Sequence, residues 1–276
     1  MINKFTYKER DYVEALLNNG FMTKYTYYEM SLLCKYWATT MSLPKDEVKQ
    51  NLIYFCETYT PNFHYALEYK TIKRAVNSAF GKLPNLIQID YIPIYEHEVE
   101  FIKESGLAQN YQRLLFAFLV LKRIHSYIWK INTGADKLGG YLNGDQKQSR
   151  LIKEMAHLSG GKKDDLDYMI HDLGELGYLT ILPLGEDYLN FIDVLKEEKS
   201  EEAIRVSDFE HVWMYYDYLS GYTRAGRIVI CQECNMPMTV KANAPQKYCP
   251  KCAHEREKAR KREYARARKV RNKRDN

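Results

Sequence analysis

Between Cys231 and Cys252 the chain reads CQECNMPMTVKANAPQKYCPKC, two Cys-x-x-Cys pairs separated by 14 residues. No other stretch limits the fold as tightly. Two such knuckles can bring four thiolates around one tetrahedral ion, and four protein ligands leave no position open for water. The expectation is one structural zinc per chain, held by Cys231, Cys234, Cys249 and Cys252. His254 follows Cys252 too closely to displace a cysteine from that set. The intervening MTVKANAPQKY reads as a hairpin turning near Asn243-Ala244-Pro245, and the second knuckle runs directly into helix-forming residues. Knuckle, hairpin and helix together describe a treble-clef or ribbon-like finger.

The segment after the second knuckle is strongly basic. Over residues 254–274, Arg256, Lys258, Arg260, Lys261, Arg262, Arg266, Arg268, Lys269 and Arg271 are followed by Lys273 and Arg274, against three acids. Glu257 precedes Lys261 by four residues and so supports helix. Apolar positions are too few for a coiled-coil seam. Solubility needs less charge than this, whereas contact with a nucleic-acid backbone accounts for it. The net charge of +5 has the same asymmetry. Residues 231–276 hold 14 Lys+Arg and 5 Asp+Glu, a balance of +9, which leaves 27 and 31, or −4, for residues 1–230. That is the footprint of a polyanion-binding arm attached to a mildly acidic body.

The chain, 276 residues and 45% hydrophobic, is long enough to bury two or three compact units. The predicted fold is mainly α. Residues 1–84 read as a helical domain: YKERDYVEALL, YYEMSLLCKYWATTM, PKDEVKQNLIYFCETY and ALEYKTIKRAVNSAF, the last placing Leu67, Ile72, Ala75, Val76 and Phe80 on one face. Residues 85–195 read as a winged-helix-like domain. A strand (LIQIDYIPI) and a helix precede QNYQRLLFAFLVLKRIHSYIWKI, which is apolar nearly all round and so a buried helix. Helices over 149–160 and 162–179 follow, then a hairpin about Gly185-Glu186. Residues 196–230 read as a charged surface helix or linker and an aromatic connector, and residues 231–276 as the zinc module with its basic helix.

In the first domain an acidic helix that stops before Pro61 precedes Glu68, Ile72, Val76, Ser78 and Ala79 in the pattern E-x-x-x-I-x-x-x-V-x-S-A. Over residues 25–82 this resembles the helical domain downstream of the catalytic part of many phage and plasmid primases. The resemblance implies a replication-associated protein of a phage or mobile element. It departs from the family in that no polymerising active site precedes it.

Enzyme signatures are absent. HEVEF at 97–101 and HEREK at 254–258 lack the second histidine of a zinc protease, and GGKKDD at 160–165 lacks the P-loop pattern. Glu96 and Glu98 beside His97 read as a solvated helix face, and His125, Cys34 and Cys56 as core residues. The third helix of the winged unit is acidic apart from Lys162 and Lys163, so either only those two lysines touch DNA or, the favoured reading, the unit serves protein contact or dimerisation. The chain lacks an apolar signal core at MINKFTYKER and uses its cysteines as a reducing cytoplasm would allow. A membrane partner is not expected. The reading is a non-enzymatic, cytoplasmic protein that binds nucleic acid, DNA foremost, with a replication or host protein as a second partner. A winged-helix transcriptional regulator and a protein-binding inhibitor of a host or defence system are the alternatives.

Overall fold

A computed structural model describes residues 7–24, 26–81, 84–133, 141–143, 146–159, 165–182, 186–195, 200–222, 227–240 and 246–274. Over these the chain is mainly helical, with three small antiparallel sheets. It forms two compact units, residues 1–90 with 123–138 and residues 91–122 with 139–276.

The first unit is built on α1 (Glu9–Asn19), α2 (Thr26–Lys35), α3 (Lys45–Tyr59) and α4 (Tyr65–Ala79). A wide π turn over Tyr36–Thr40 extends α2 and seats Trp37 in the core. Pro44 precedes α3, where its missing amide costs nothing, and Asp46 and Glu47 lie in the first turn, next to the positive end of the helix dipole. The core draws Val13 and Leu16 from α1, Leu32 and Leu33 from α2, and Leu52 and Phe55 from α3. Cys34 and Cys56 are buried with them, and burial pushes both thiols up to about 12. From α4 the buried stripe is Ile72, Ala75, Val76 and Ala79, the i, i+3, i+4, i+7 pattern. Leu67 and Phe80, expected on that face, are exposed. Leu67 stands five residues before Ile72 and points roughly 140° away from it, and Phe80 caps the helix beyond its last turn.

Two carboxylates are buried here with partners. Glu29 accepts from the Tyr12 hydroxyl at 2.5 Å and the Met22 amide at 3.2 Å; Glu9 accepts from the Ile87 amide. Gly20 leaves α1 at a φ of 78°, with the Tyr59 ring lying where a Cβ would stand, so no other residue fits there.

The second unit begins with β1 (Ile92–Tyr95) and α5 (Glu96–Glu104). The strand is shorter than the alternation of residues 86–94 predicts, because Lys8 and Gln88 instead form a bridge inside the first unit. In α6 (Gln109–Thr133) residues 114–122 are buried without interruption, as an all-round apolar sequence requires. Next come β2 (Tyr141–Asn143), α7 (Gln146–Ala156), α8 (Leu166–Glu175), β3 (Leu179–Leu182), β4 (Glu186–Leu189) and α9 (Asn190–Val194). The sheet order is β2-β4-β3, with β4 pairing both neighbours. The helix expected over 162–179 is confined to α8. Asp165 caps its start by accepting the Asp167 amide at 3.0 Å. Gly177, at a φ of 81°, ends it: its amide donates to Gly174 O while that of Tyr178 donates to Leu173 O. The hairpin's second strand likewise stops at Leu189, where α9 begins.

The charged stretch expected as linker or surface helix contains a strand. β5 (Glu202–Val206) pairs antiparallel with β1, joining Ile92 to Val206 and Ile94 to Ile204. Ile204 and Val206 turn inward and Arg205 between them stays out, while the pairing is irregular at Glu202, opposite Tyr95. The aromatic run forms α10 (Val212–Ser220), which buries Val212, Met214, Tyr215, Tyr216 and Asp217. β6 (Arg227–Ile230), β7 (Pro237–Val240) and α11 (Pro250–Arg274) complete the chain.

Candidate metal centre and basic helix

The first knuckle is the turn of a hairpin. β6 pairs with β7, Ile230 opposite Pro237, and the chain reverses over Cys231–Met236. Asn235 takes the left-handed conformation (φ 56°) that asparagine tolerates better than most residues. Its amide donates to Cys231 O at 3.0 Å, and the Cys231 amide to Met236 O at 2.9 Å. Among the described residues the partner of β7 lies before Cys231, because the knuckle itself reverses the chain. The turn at Asn243-Ala244-Pro245 falls outside the described residues.

The second knuckle opens α11. Pro250 is the first helical residue, and Cys249 and Cys252 flank it at the helix N-terminus. The Cys249 amide donates to Cys231 Sγ at 3.3 Å, and the Cys252 amide to Cys249 Sγ at 3.4 Å. The four sulfurs lie within 4.8 Å of one another, with Cys234 and Cys249 3.7 Å apart. Ligands 2.3 Å from a tetrahedral centre stand about 3.8 Å apart, so the set fits a metal ion. Burial pushes the Cys231 thiol up, but amide donors from Cys234, Cys249 and Glu233 more than offset it and bring the group to about 6. Burial and the three neighbouring thiols push Cys252 up. His254 is exposed and stands outside the sulfur cluster.

Beyond the knuckle, α11 leaves the body. Every residue from 253 to 265 is exposed, among them Arg256, Lys258, Arg260, Lys261 and Arg262. Arg256 packs over the Tyr248 ring at 4.4 Å and meets Glu233 at 3.2 Å, tying the helix base to both knuckles. Lys258 and Lys261 pair within the helix with Glu255 and Glu257. The helical backbone continues through Arg266, Arg268, Lys269 and Arg271. Lys162 and Lys163 lie outside the described residues.

One supporting residue was not visible in the sequence. Tyr215 of α10 donates to Asn235 O at 2.8 Å and accepts from the Ser207 and Asp208 amides, while Ser207 Oγ donates to Cys234 O at 2.9 Å. The first knuckle is thereby fixed to β5 and α10. The only hint was the density of aromatics over 213–218, which says nothing of where a hydroxyl points.

The histidines also differ from expectation. His97 is half-buried, its Nδ1 2.6 Å from Ser200 Oγ and its Nε2 3.3 Å from Leu195 O, and Ser200 Oγ also accepts the His97 amide. A tautomer with hydrogen on Nε2 satisfies all three contacts. Glu98 is buried rather than solvated, because it accepts the Tyr95 amide at 2.9 Å and so caps α5. His125 is half-buried. His171, Asp172 and Glu175 form a more exposed group on α8, where Asp172 already accepts from Tyr111. Among the described residues no helix is long and apolar enough to cross a membrane.

Comparison of the chain with protein-family models, curated proteins and solved structures finds no match.

Proposed function

We propose that the chain is a non-enzymatic nucleic-acid-binding protein in which a structural zinc, held by Cys231, Cys234, Cys249 and Cys252, fixes the base of α11 as a phosphate-contacting arm. The observation that carries this reading is the junction itself. A four-sulfur cluster encloses the first turn of a helix whose next 13 residues are all exposed. An exposed helix with 12 Lys and Arg against 3 Glu has no apolar face to bury, so charge is what it offers a partner. Zinc supplies no chemistry at a closed site; it fixes the two knuckles to each other and to the helix. DNA replication in a phage or mobile element is the proposed setting, on the primase-like pattern of residues 25–82. The direct test is binding of the zinc-loaded chain to labelled nucleic acid across a salt series. Affinity that does not fall with salt removes phosphate contact from the reading.

A second reading has its own support. Helix, strand, two helices and a hairpin, with sheet order β2-β4-β3, is the order of a winged helix, and a regulator would place α8 in a groove. The charge of α8 disfavours this: Asp167, Asp172 and Glu175 face no Lys or Arg within its span. Footprinting separates the two, since a regulator protects one defined operator.

A further inference from the structure

We propose that the outer face of α4, in the first unit, is a second nucleic-acid contact, which holds a single strand by stacking bases on tyrosines set among cations. This face belongs to a different unit from α11 and does not depend on the reading of that helix. Ile72, Ala75, Val76 and Ala79 fix which side of α4 is buried. At about 100° per residue, Leu67, Tyr69, Lys70, Lys73, Arg74 and Asn77 fall within one arc roughly 160° wide on the other side. All six are exposed, and none is acidic. Glu68, the one acid of α4, is half-buried on the inward side, where, after burial itself, its charge helps to push the Cys56 thiol up.

Rings and cations on this face are in contact with one another. The Tyr65 and Tyr69 rings, one helical turn apart, meet edge to face at 5.9 Å. Lys49 of α3 lies 5.4 Å from the centre of the Tyr65 ring, and Lys73 lies 5.8 Å from that of Tyr69. At the opposite border the Arg74 guanidinium lies 4.7 Å from the centre of the Tyr27 ring of α2. The attraction of each cation to a ring face places positive charge beside each aromatic surface. Asp46, in the first turn of α3, bears on Lys49 at the margin of the face.

This combination fits unpaired nucleotides. A base in a single strand offers its π face to an aromatic side chain, while its phosphate takes a neighbouring cation. In a duplex the base faces are stacked on one another, and the rings have nothing to take. An acidic peptide would use the cations and leave the tyrosines idle. From Tyr65 to Asn77 the helix runs about 18 Å, the length of about five nucleotides in a stacked strand. Leu67, which the body leaves 80% exposed, gives the same strand an apolar contact.

The test uses the full zinc-loaded chain carrying Arg260→Glu, Lys261→Glu and Arg262→Glu, so that what is read does not come from α11. Fluorescence anisotropy follows a labelled oligothymidylate of about 20 nucleotides and a duplex of equal length, with unfolding curves for every variant. The oligothymidylate is expected to bind this background more tightly than the duplex does. Tyr69→Ala should weaken single-strand binding by about fivefold or more, and Tyr69→Phe, which keeps the ring, should restore it. Lys70→Gln, Lys73→Gln and Arg74→Gln together should flatten the salt slope by roughly 2, at about 0.7 for each phosphate of a single strand. The inference is overturned if the background retains no single-strand binding, or if the Tyr69→Ala and triple glutamine variants bind as it does. It is also overturned if the duplex binds equally well, or if oligoglutamate displaces the probe as effectively as unlabelled oligothymidylate, which would make the face a dock for an acidic peptide.

Discussion

Glu9 and Ile87 are joined by two hydrogen bonds: the Glu9 amide donates to Ile87 O at 2.8 Å, and the Glu9 carboxylate accepts the Ile87 amide at 2.8 Å. The pair fixes the segment after α4 against the start of α1. The side chain that does so is buried, and burial raises its carboxyl above the ordinary value of 4.5 despite the Ile87 amide, the Lys35 charge and the Tyr28 hydroxyl.

A raised acid in the folded state has a definite consequence for stability. Between the unfolded value and the raised folded one the native state binds more proton, so stability falls as pH rises through that window. Above it the full penalty of the buried charge applies. Glu9→Gln keeps an acceptor for Ile87, and should match or exceed the parent in urea unfolding at pH 7 while losing part of its gain on acidification. Glu9→Ala orphans the Ile87 amide and should cost about 1–3 kcal/mol. A Gln variant as unstable as the Ala variant would show that charge, not hydrogen bonding, holds the junction.

Arg113, half-buried, and Asp217, buried, form a pair that should be intolerant of single changes. Arg113 donates from Nε at 2.8 Å and from Nη2 at 2.5 Å, Gln109 adds a third donor at 2.9 Å, and the guanidinium lies 5.2 Å from the centre of the Trp213 ring. Removing Arg113 leaves the buried Asp217 carboxylate with Gln109 but no counter-charge, at up to about 3–5 kcal/mol. Arg113→Met and Asp217→Leu should each lower the unfolding midpoint strongly, and the double variant should recover much of the loss. Additive losses in that cycle would mean the pair is not coupled.

Local chemistry was legible in the sequence, and long-range pairing was not. Cys34 and Cys56 are buried as their apolar surroundings suggest, and the four knuckle cysteines converge as their spacing requires. By contrast, β5 owes its existence to β1, more than a hundred residues earlier, and read in isolation its many charges suggest solvent. Glu98 misleads in the same way: beside His97 it reads as a solvated acid, yet it is buried because the α5 N-terminus supplies its donor. The β6–β7 hairpin went unread because the first knuckle was counted as ligand and not also as turn, while the hairpin expected between the knuckles turns outside the described residues.

Metal removal tests the second unit separately from the first. Purified protein should contain about one zinc per chain. Cys249→Ser deletes a ligand that also accepts the Cys252 amide, so it should lower metal content and loosen β6, β7 and the base of α11 together. Amide exchange should report this as lost protection over 227–240 and 249–256, with α1 to α4 unchanged, since their core shares no residue with the cluster. Zinc-free purified protein, or loss of α1 to α4 on chelation, would defeat the closed structural site.

The sharpest test of the arm is its salt dependence. Each phosphate neutralised on duplex DNA contributes a log–log slope of about −0.9, so ~5 contacting cations give a slope of roughly −4 to −5. Arg260→Glu, Lys261→Glu and Arg262→Glu lie on exposed positions and should leave the fold intact while flattening that slope and weakening binding severely. Lys162→Glu and Lys163→Glu should change affinity little, because they adjoin α8, which carries Asp167, Asp172 and Glu175 and repels phosphate. The measurement is fluorescence anisotropy from low to moderate salt, with unfolding curves as a control for each variant. If the α11 variants bind like the parent and Lys162→Glu does not, the helix-turn-helix unit is the reader, and the basic helix contributes only solubility.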